Sequence, residues 1–403
     1  MLFLKKERAT QFYRYKHFSY KYMKVSKFKQ AAVLCLMALS IYACSKKKGT
    51  EPDPEPKPGI DRKALLTYLA DDIIIPSYVN FKTKFDLMVT KSDAFAAAPG
   101  TASLTDFRTA WVNAYVEWQK IEFIEVGPAQ AQTIRSFFNI YPTNVTNINA
   151  GIAAGTANFD LPGTYAQQGF PALDYLINGS AATDADIVAL YTTAADAAKR
   201  IAYLKKITAQ MNTIFTKVYT PWVSGGYRDE FINKSGVDVS SSLAVLVNGY
   251  VLNYERYIRS GKFGIPSGAM MNGVVAADKV EALYKKDISL TLAKAAHQAS
   301  VDFFNGKSLK TFAEGPSFKT YLNALGVKDS QTGLQLSQAI LNQFASTNTK
   351  LALLSENLNN EVKTNNQKMI DVYTEMQKSV KMLKVDMTSA MSITITYTDN
   401  DGD

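Results

Sequence analysis

Few residues of this chain can do covalent or transition-metal chemistry, and their positions narrow the field further. Of the two cysteines, Cys35 lies inside an apolar run and Cys44 follows it, so residues beyond 44 hold no disulfide, thiolate ligand or thiol nucleophile. Of the two histidines, His17 belongs to the same N-terminal stretch, and His297 stands alone in Ala295-Ala296-His297-Gln298-Ala299 on a helical pattern. A single imidazole makes no His-x-x-x-His zinc spacing, and without a Gly-x-Ser-x-Gly elbow it serves no hydrolytic triad. It reads as a packing or surface residue. No Gly-x-x-x-x-Gly-Lys or Gly-x-Gly-x-x-Gly loop is present to cradle a phosphate. Carboxylates remain. Glu122 and Glu125, three apart and so on one face of a predicted helix, join Asp174 as hard oxygen donors that suit a divalent iron, manganese or calcium ion better than zinc. Solvated helix acids account for the same spacing. Asp399-Asn400-Asp401-Gly402-Asp403 starts like a calcium loop but lacks the closing bidentate glutamate, and is expected to be a solvated acidic tail.

The elements that would carry these residues begin after a leader. Residues 1–43 are basic and then apolar, and the uncharged run Ala31–Ala43 is too short to span a bilayer, which takes ~20 residues. They read as a cleaved signal peptide, with Met23 as an alternative start. Ile41-Tyr42-Ala43-Cys44 resembles a bacterial lipobox, which makes Cys44 the lipidated residue and the envelope, most simply the outer membrane, the location. Residues 44–59, with proline at 52, 54, 56 and 58, form an extended tether. The leader holds nine of the 45 basic and one of the 36 acidic residues, leaving 36 against 35. The mature body therefore has no electrostatic footprint for nucleic acid.

Beyond the tether the periodicity is helical and predicts an all-α fold of two four-helix-type bundles packed together, residues 60–220 and 221–403. Helical runs cover 62–90 with a kink at Pro76, then 104–121 capped by Thr101 or Ser103 and stopped at Gly127-Pro128, 184–220, 239–261, 277–305, 332–347 and 352–390. Residues 137–163 read as mostly loop, 221–238 as the junction, and 392–397 as a short isolated strand. Trp111, Tyr115, Trp118 and Phe123 are large enough to fill a bundle core, or to line a small-ligand or peptide pocket if a cleft opens beside them.

Several segments, in order, resemble the imelysin family. Ile75-Pro76-Ser77-Tyr78 is similar to its opening, Ala110-Trp111 through Trp118 to Gly127-Pro128-Ala129 to its two-tryptophan helix, and Tyr141-Pro142 to a loop motif. Lys262-Phe263-Gly264-Ile265-Pro266-Ser267-Gly268 resembles a turn of the second half, followed by Glu281-Ala282-Leu283-Tyr284 with Ser289 and by Leu383-Lys384-Val385-Asp386. Gly169-Phe170-Pro171-Ala172-Leu173-Asp174-Tyr175 looks like the family's Gly-x-His-x-x-Glu segment with proline for histidine and aspartate for glutamate. The resemblance implies two helical bundles with a site at their interface, and an activity in relatives described as metallopeptidase or as part of iron acquisition. Pro171 has no lone pair to offer a metal, and proline suits the first turn of a helix.

The expectation is a non-catalytic, lipid-anchored protein without a cofactor, which holds a small ligand or peptide in iron- or haem-related uptake. Trp111, Trp118, Gly169, Pro171, Asp174, Tyr175 and Lys262 are the candidate contacts. The alternatives are a metallopeptidase with a divalent metal on Glu122, Glu125 and Asp174, and a scaffold for an outer-membrane receptor.

Overall fold

The computed structural model describes residues 60–398, so the leader, Cys44, the proline-rich tether and the acidic tail lie outside the described residues. What is described is helical throughout. Among the described residues no strand forms, only isolated bridges between Lys307 and Glu314 and between Lys328 and Gln335. None of the described helices is long and apolar enough to cross a membrane.

The chain enters through α1 (Arg62–Tyr68), capped by the Asp61 side chain, which accepts from the Ala64 N–H. A π-helical turn, Leu69–Ile74, leads without a break into α2 (Ile75–Ala97), so Pro76 sits where the helix passes from π to α hydrogen bonding. Next come α3 (Thr101–Gln119), α4 (Ile134–Phe138), α5 (Val145–Ala154), α6 (Gly169–Asp174) and α7 (Ala197–Val223). After these follow α8 (Ser242–Leu252), α9 (Ser289–Asn305), α10 (Leu336–Leu351) and α11 (Leu358–Lys381). Helix α2 packs on α3 and α7, and α9 joins the two halves by packing on both α3 and α10. Rings fill the spaces: Phe81 meets Phe215 edge-on at 4.8 Å, Trp118 stacks on Phe138 at 4.8 Å, and Phe123 meets Phe303 at 4.7 Å. The buried residues form one continuous core from Leu65 to Ile393.

Several boundaries differ from the sequence reading, each for a local reason. The N-cap of α3 is Gly100, and Ser103 caps from inside the first turn by accepting the Gly100 N–H at 3.1 Å, whereas Thr101 does not cap. The expected loop at 137–163 contains α5, started by the Asn144 side chain and stopped by Gly155 at φ +71°. Within the expected junction, α7 continues through Pro221 to Val223, and Trp222 lies in the core against Phe231 at 5.1 Å. The expected strand at 392–397 has no partner strand. Asn248 takes that place, donating to Thr394 O at 3.0 Å and accepting from Thr396 N at 2.8 Å. The expected helix from 277 begins only at Ser289, because Ala282 and Lys286 adopt φ +54° and +68° in a tight loop.

Candidate functional site

That loop delivers Glu281 into the interior. Its carboxylate is the hub of a buried network assembled from four stretches of chain. Oε1 accepts from Tyr115 Oη at 3.0 Å and Gln119 Nε2 at 3.0 Å, both on α3, and from Asn139 Nδ2 at 2.9 Å just beyond α4. Oε2 receives Lys262 Nζ in an ion pair in which each side chain is only 2% exposed, and Lys262 Nζ also donates to Gln119 Oε1 at 2.8 Å. Lys262 sits in a π-helical stretch, Asn253–Gly264, that continues α8; such widened turns recur at functional sites. With four donors on one carboxylate, the burial of both charges is compensated. Tyr115 is pushed well above the usual tyrosine pKa, first by burial and then by the neighbouring Glu281.

Beside the network lies a second carboxylate. Glu122 accepts from Asn139 Nδ2 at 3.1 Å and faces Arg135 Nε at 3.5 Å, while Arg135 also reaches Glu125 Oε2 at 2.8 Å. Helix α3 ends at Gln119, so Glu122 and Glu125 sit in the following turn rather than on a helix face, and share one guanidinium. Burial raises the Glu122 pKa, opposed by Arg135 and Lys262. The other face of Arg135 lies over the Tyr257 ring at 3.6 Å. Tyr257 in turn lines a cavity of about 410 Å³, within the usual size of small-ligand sites. Glu122, Asn139, Tyr141, Arg256, Ile265 and Lys279 also line it. Tyr141 and Pro142 are joined by a cis peptide bond.

Of the sequence candidates, Lys262 belongs to the Glu281 network, and Glu122 adjoins it through Asn139 and lines the cavity. Trp111 and Trp118 are core residues at 0% and 1% exposure; Trp111 Nε1 donates to Phe170 O at 3.3 Å. The displaced motif is buried scaffold. Gly169 has φ +77°, and a Cβ there would stand 2.4 Å from Phe138 O, so the glycine lets α6 close on the end of α4 next to Asn139. Phe170 stacks on Tyr115 at 4.5 Å with the planes 5° apart. Pro171 lies in the first turn of α6. Asp174 accepts from the backbone N–H groups of Tyr284 and Lys285, both at 2.9 Å, and from Asn178 Nδ2 at 3.0 Å. Tyr175 exchanges hydrogen bonds with Asn149. The motif thus holds in place two residues around Glu281, Tyr115 through Phe170 and Asn139 through Gly169, and the Glu281 loop itself through Asp174.

The three carboxylates of the metal alternative are each engaged by the chain's own donors. Asp174 is saturated by backbone donors, Glu122 and Glu125 are held by Arg135, and among the described residues no three potential ligands converge. His297 is buried: Nε2 donates to Phe344 O at 3.2 Å, which leaves Nδ1 to accept from the Tyr254 hydroxyl at 3.0 Å, and burial lowers its pKa to about 4. Sequence reasoning missed Glu281, Gln119, Asn139, Arg135, Tyr141, Tyr257 and Lys279. The segments Tyr141-Pro142 and Glu281-Ala282-Leu283-Tyr284 were the available signal, since both carry the family resemblance.

Comparison with known proteins agrees with this architecture. No curated protein matches the chain at a significant level. A solved structure from Parabacteroides distasonis, assigned as an iron-regulated protein A precursor, superposes with a TM-score of 0.66 at 18% identity, covering 83% of this chain and 98% of that one. An imelysin-like protein from Psychrobacter arcticum gives 0.62 at 17% identity, covering 84% and 97%. The family model described as Imelysin matches residues 74–383, most of the chain, and the protein is a member of the imelysin family.

Proposed function

We propose that this protein is a non-catalytic member of its family, lipid-anchored in the cell envelope through Cys44, that holds a small ligand in the cavity beside the Glu281 network in an iron-linked uptake process. The observation that carries the reading is the contrast at the site: every buried carboxylate is occupied by this chain's own donors, while an aromatic-walled cavity stands open next to them. A metallopeptidase would require the family's metal, and the residues present do not fit one. Pro171 offers no donor atom, Asp174 is engaged by two backbone N–H groups, and the Lys262 ammonium and Arg135 guanidinium repel a cation from the remaining carboxylates. The iron link is supported by the assignment of the Parabacteroides distasonis protein as iron-regulated.

The test is native mass spectrometry of protein purified from its own membranes after growth under iron limitation. A small-molecule adduct is expected, and Gly261→Leu should abolish it, because a Cβ at Gly261 already stands 3.1 Å from the Tyr141 hydroxyl and a leucine fills the cavity. An adduct that survives Gly261→Leu, or peptide hydrolysis that a chelator stops and Asp174→Ala abolishes, overturns the reading.

A further inference from the structure

Two polar groups on the cavity wall have no partner among the described residues. Lys279, on a short 3-10 turn of residues 277–279, makes no ion pair and no side-chain hydrogen bond among the described residues, although it lines the cavity. The Tyr141 hydroxyl likewise has no hydrogen-bond partner among the described residues, in a molecule where Tyr78, Tyr115, Tyr250 and Tyr254 all direct theirs to one. Both are donors. The acceptors nearby are already taken: Glu281 by four donors, and Glu122 by Asn139 and the guanidinium of Arg135. The charged side chains lining the cavity or packed directly under it are Arg135, Arg256, Lys262 and Lys279 against Glu122, Glu125 and Glu281. Arg135 and Lys262 are committed to Glu122, Glu125 and Glu281, whereas the Lys279 ammonium has no counter-charge among the described residues. The rest of the wall, Tyr257, Ile140, Ile265 and Met271, is apolar and includes one ring held flat by Arg135.

We propose that the cavity takes a small organic anion, an acidic group on a flat apolar body, with the acid received by Lys279 and the Tyr141 hydroxyl and the body lying against Tyr257. This rests on the reading of the cavity as the binding site. A carboxylate, sulfonate or phosphate satisfies donors that otherwise stay unmade, and an unpaired ammonium gains more from an anion than from any neutral acceptor. A cationic ligand would meet Lys279 and find Glu122 already neutralised.

The experiment compares two fluorescent probes that share one aromatic skeleton, anilinonaphthalene sulfonate and the uncharged N-phenylnaphthylamine, titrated into the folded protein. The sulfonate should saturate a single site with a Kd at least about tenfold below that of the neutral amine, a difference of about 1.4 kcal/mol. Lys279→Met should bring the two within about twofold, Tyr141→Phe should weaken the sulfonate alone, and Gly261→Leu should abolish both. Equal affinity for the two probes, or a preference that survives Lys279→Met, overturns the anion assignment while leaving a Gly261-dependent cavity intact. If neither probe binds at a Gly261-dependent site, the cavity itself is rejected.

Discussion

Asp174 and Glu281 are both buried acids, and the same loop connects them, yet they do opposite work. Asp174 faces backbone: two consecutive N–H groups and one amide fix the loop of residues 280–288 against α6. Glu281 faces side chains contributed by α3, the turn after α4 and the π-helical stretch, and so ties those segments together next to the cavity. Burial pushes Asp174 up to about 7 against the pull of its hydrogen bonds. A perturbed acid is commonly read as functional. Here it belongs to the scaffold, and the acid nearer the candidate site is recognised by the company it keeps.

Removing the carboxylate from each position should separate the two roles. Glu281→Ala leaves the Lys262 ammonium buried without a partner and should cost about 3–5 kcal/mol in urea denaturation. Replacing the pair together, Glu281→Leu with Lys262→Met, should recover most of that loss. A double variant as unstable as the single one would mean that Gln119 and Asn139, left without their acceptor, dominate.

The next largest effect is a slope. Asp174, raised in the folded state to about 7 from an ordinary value of 3.8, makes folded protein bind a proton that the unfolded chain releases. Its contribution is full below about pH 4 and lost as pH rises through about 7. His297 is lowered to about 4 from 6.5, so the unfolded chain takes up the proton first. Its contribution is present above about pH 6.5 and lost as pH falls toward 4. Between these limits the two oppose each other. Relative to the parent, Asp174→Asn should give stability that rises more steeply with pH, and His297→Gln stability that falls more steeply, each by up to about 1.4 kcal/mol per pH unit. Parallel pH curves for parent and Asp174→Asn would show that the acid titrates normally.

The smallest expected effect is the most pointed. Pro171→His restores the family's histidine, yet Asp174 stays committed to Tyr284 and Lys285. Elemental analysis should find no stoichiometric zinc, manganese or iron in the purified variant. One equivalent of bound metal would mean that the scaffold role of this segment is a veneer over a dormant site.

The all-α fold was readable because its signal is local: the apolar stripe of α3 and the Asn, Ser and Gly punctuation recur every few residues. The family was readable from short segments in order. The network was not, because its members stand at 115, 119, 139, 262 and 281, and no periodicity links them. Lys262 was singled out through its motif, whereas Glu281 was quoted within a motif and not as a site. The aromatic helix misled for a physical reason: tryptophans suit a core and a pocket equally, and both Trp111 and Trp118 went to the core. The loop of residues 280–288 was read as helix because its composition is helical; Ala282 and Lys286 turn left-handed on either side of Tyr284 and Lys285, whose amides donate to Asp174, over a hundred residues away.

Asn248 has one more consequence. Residues 393–396 are stretched out and β-branched, the kind of segment that invites a neighbouring molecule to add a strand. A single carboxamide answers both the carbonyl of Thr394 and the amide of Thr396 from one side. The segment is thereby quieted without a sheet: a side chain, which cannot be extended into a ladder, stands in for the hydrogen-bonding edge through which copies of the protein would otherwise adhere.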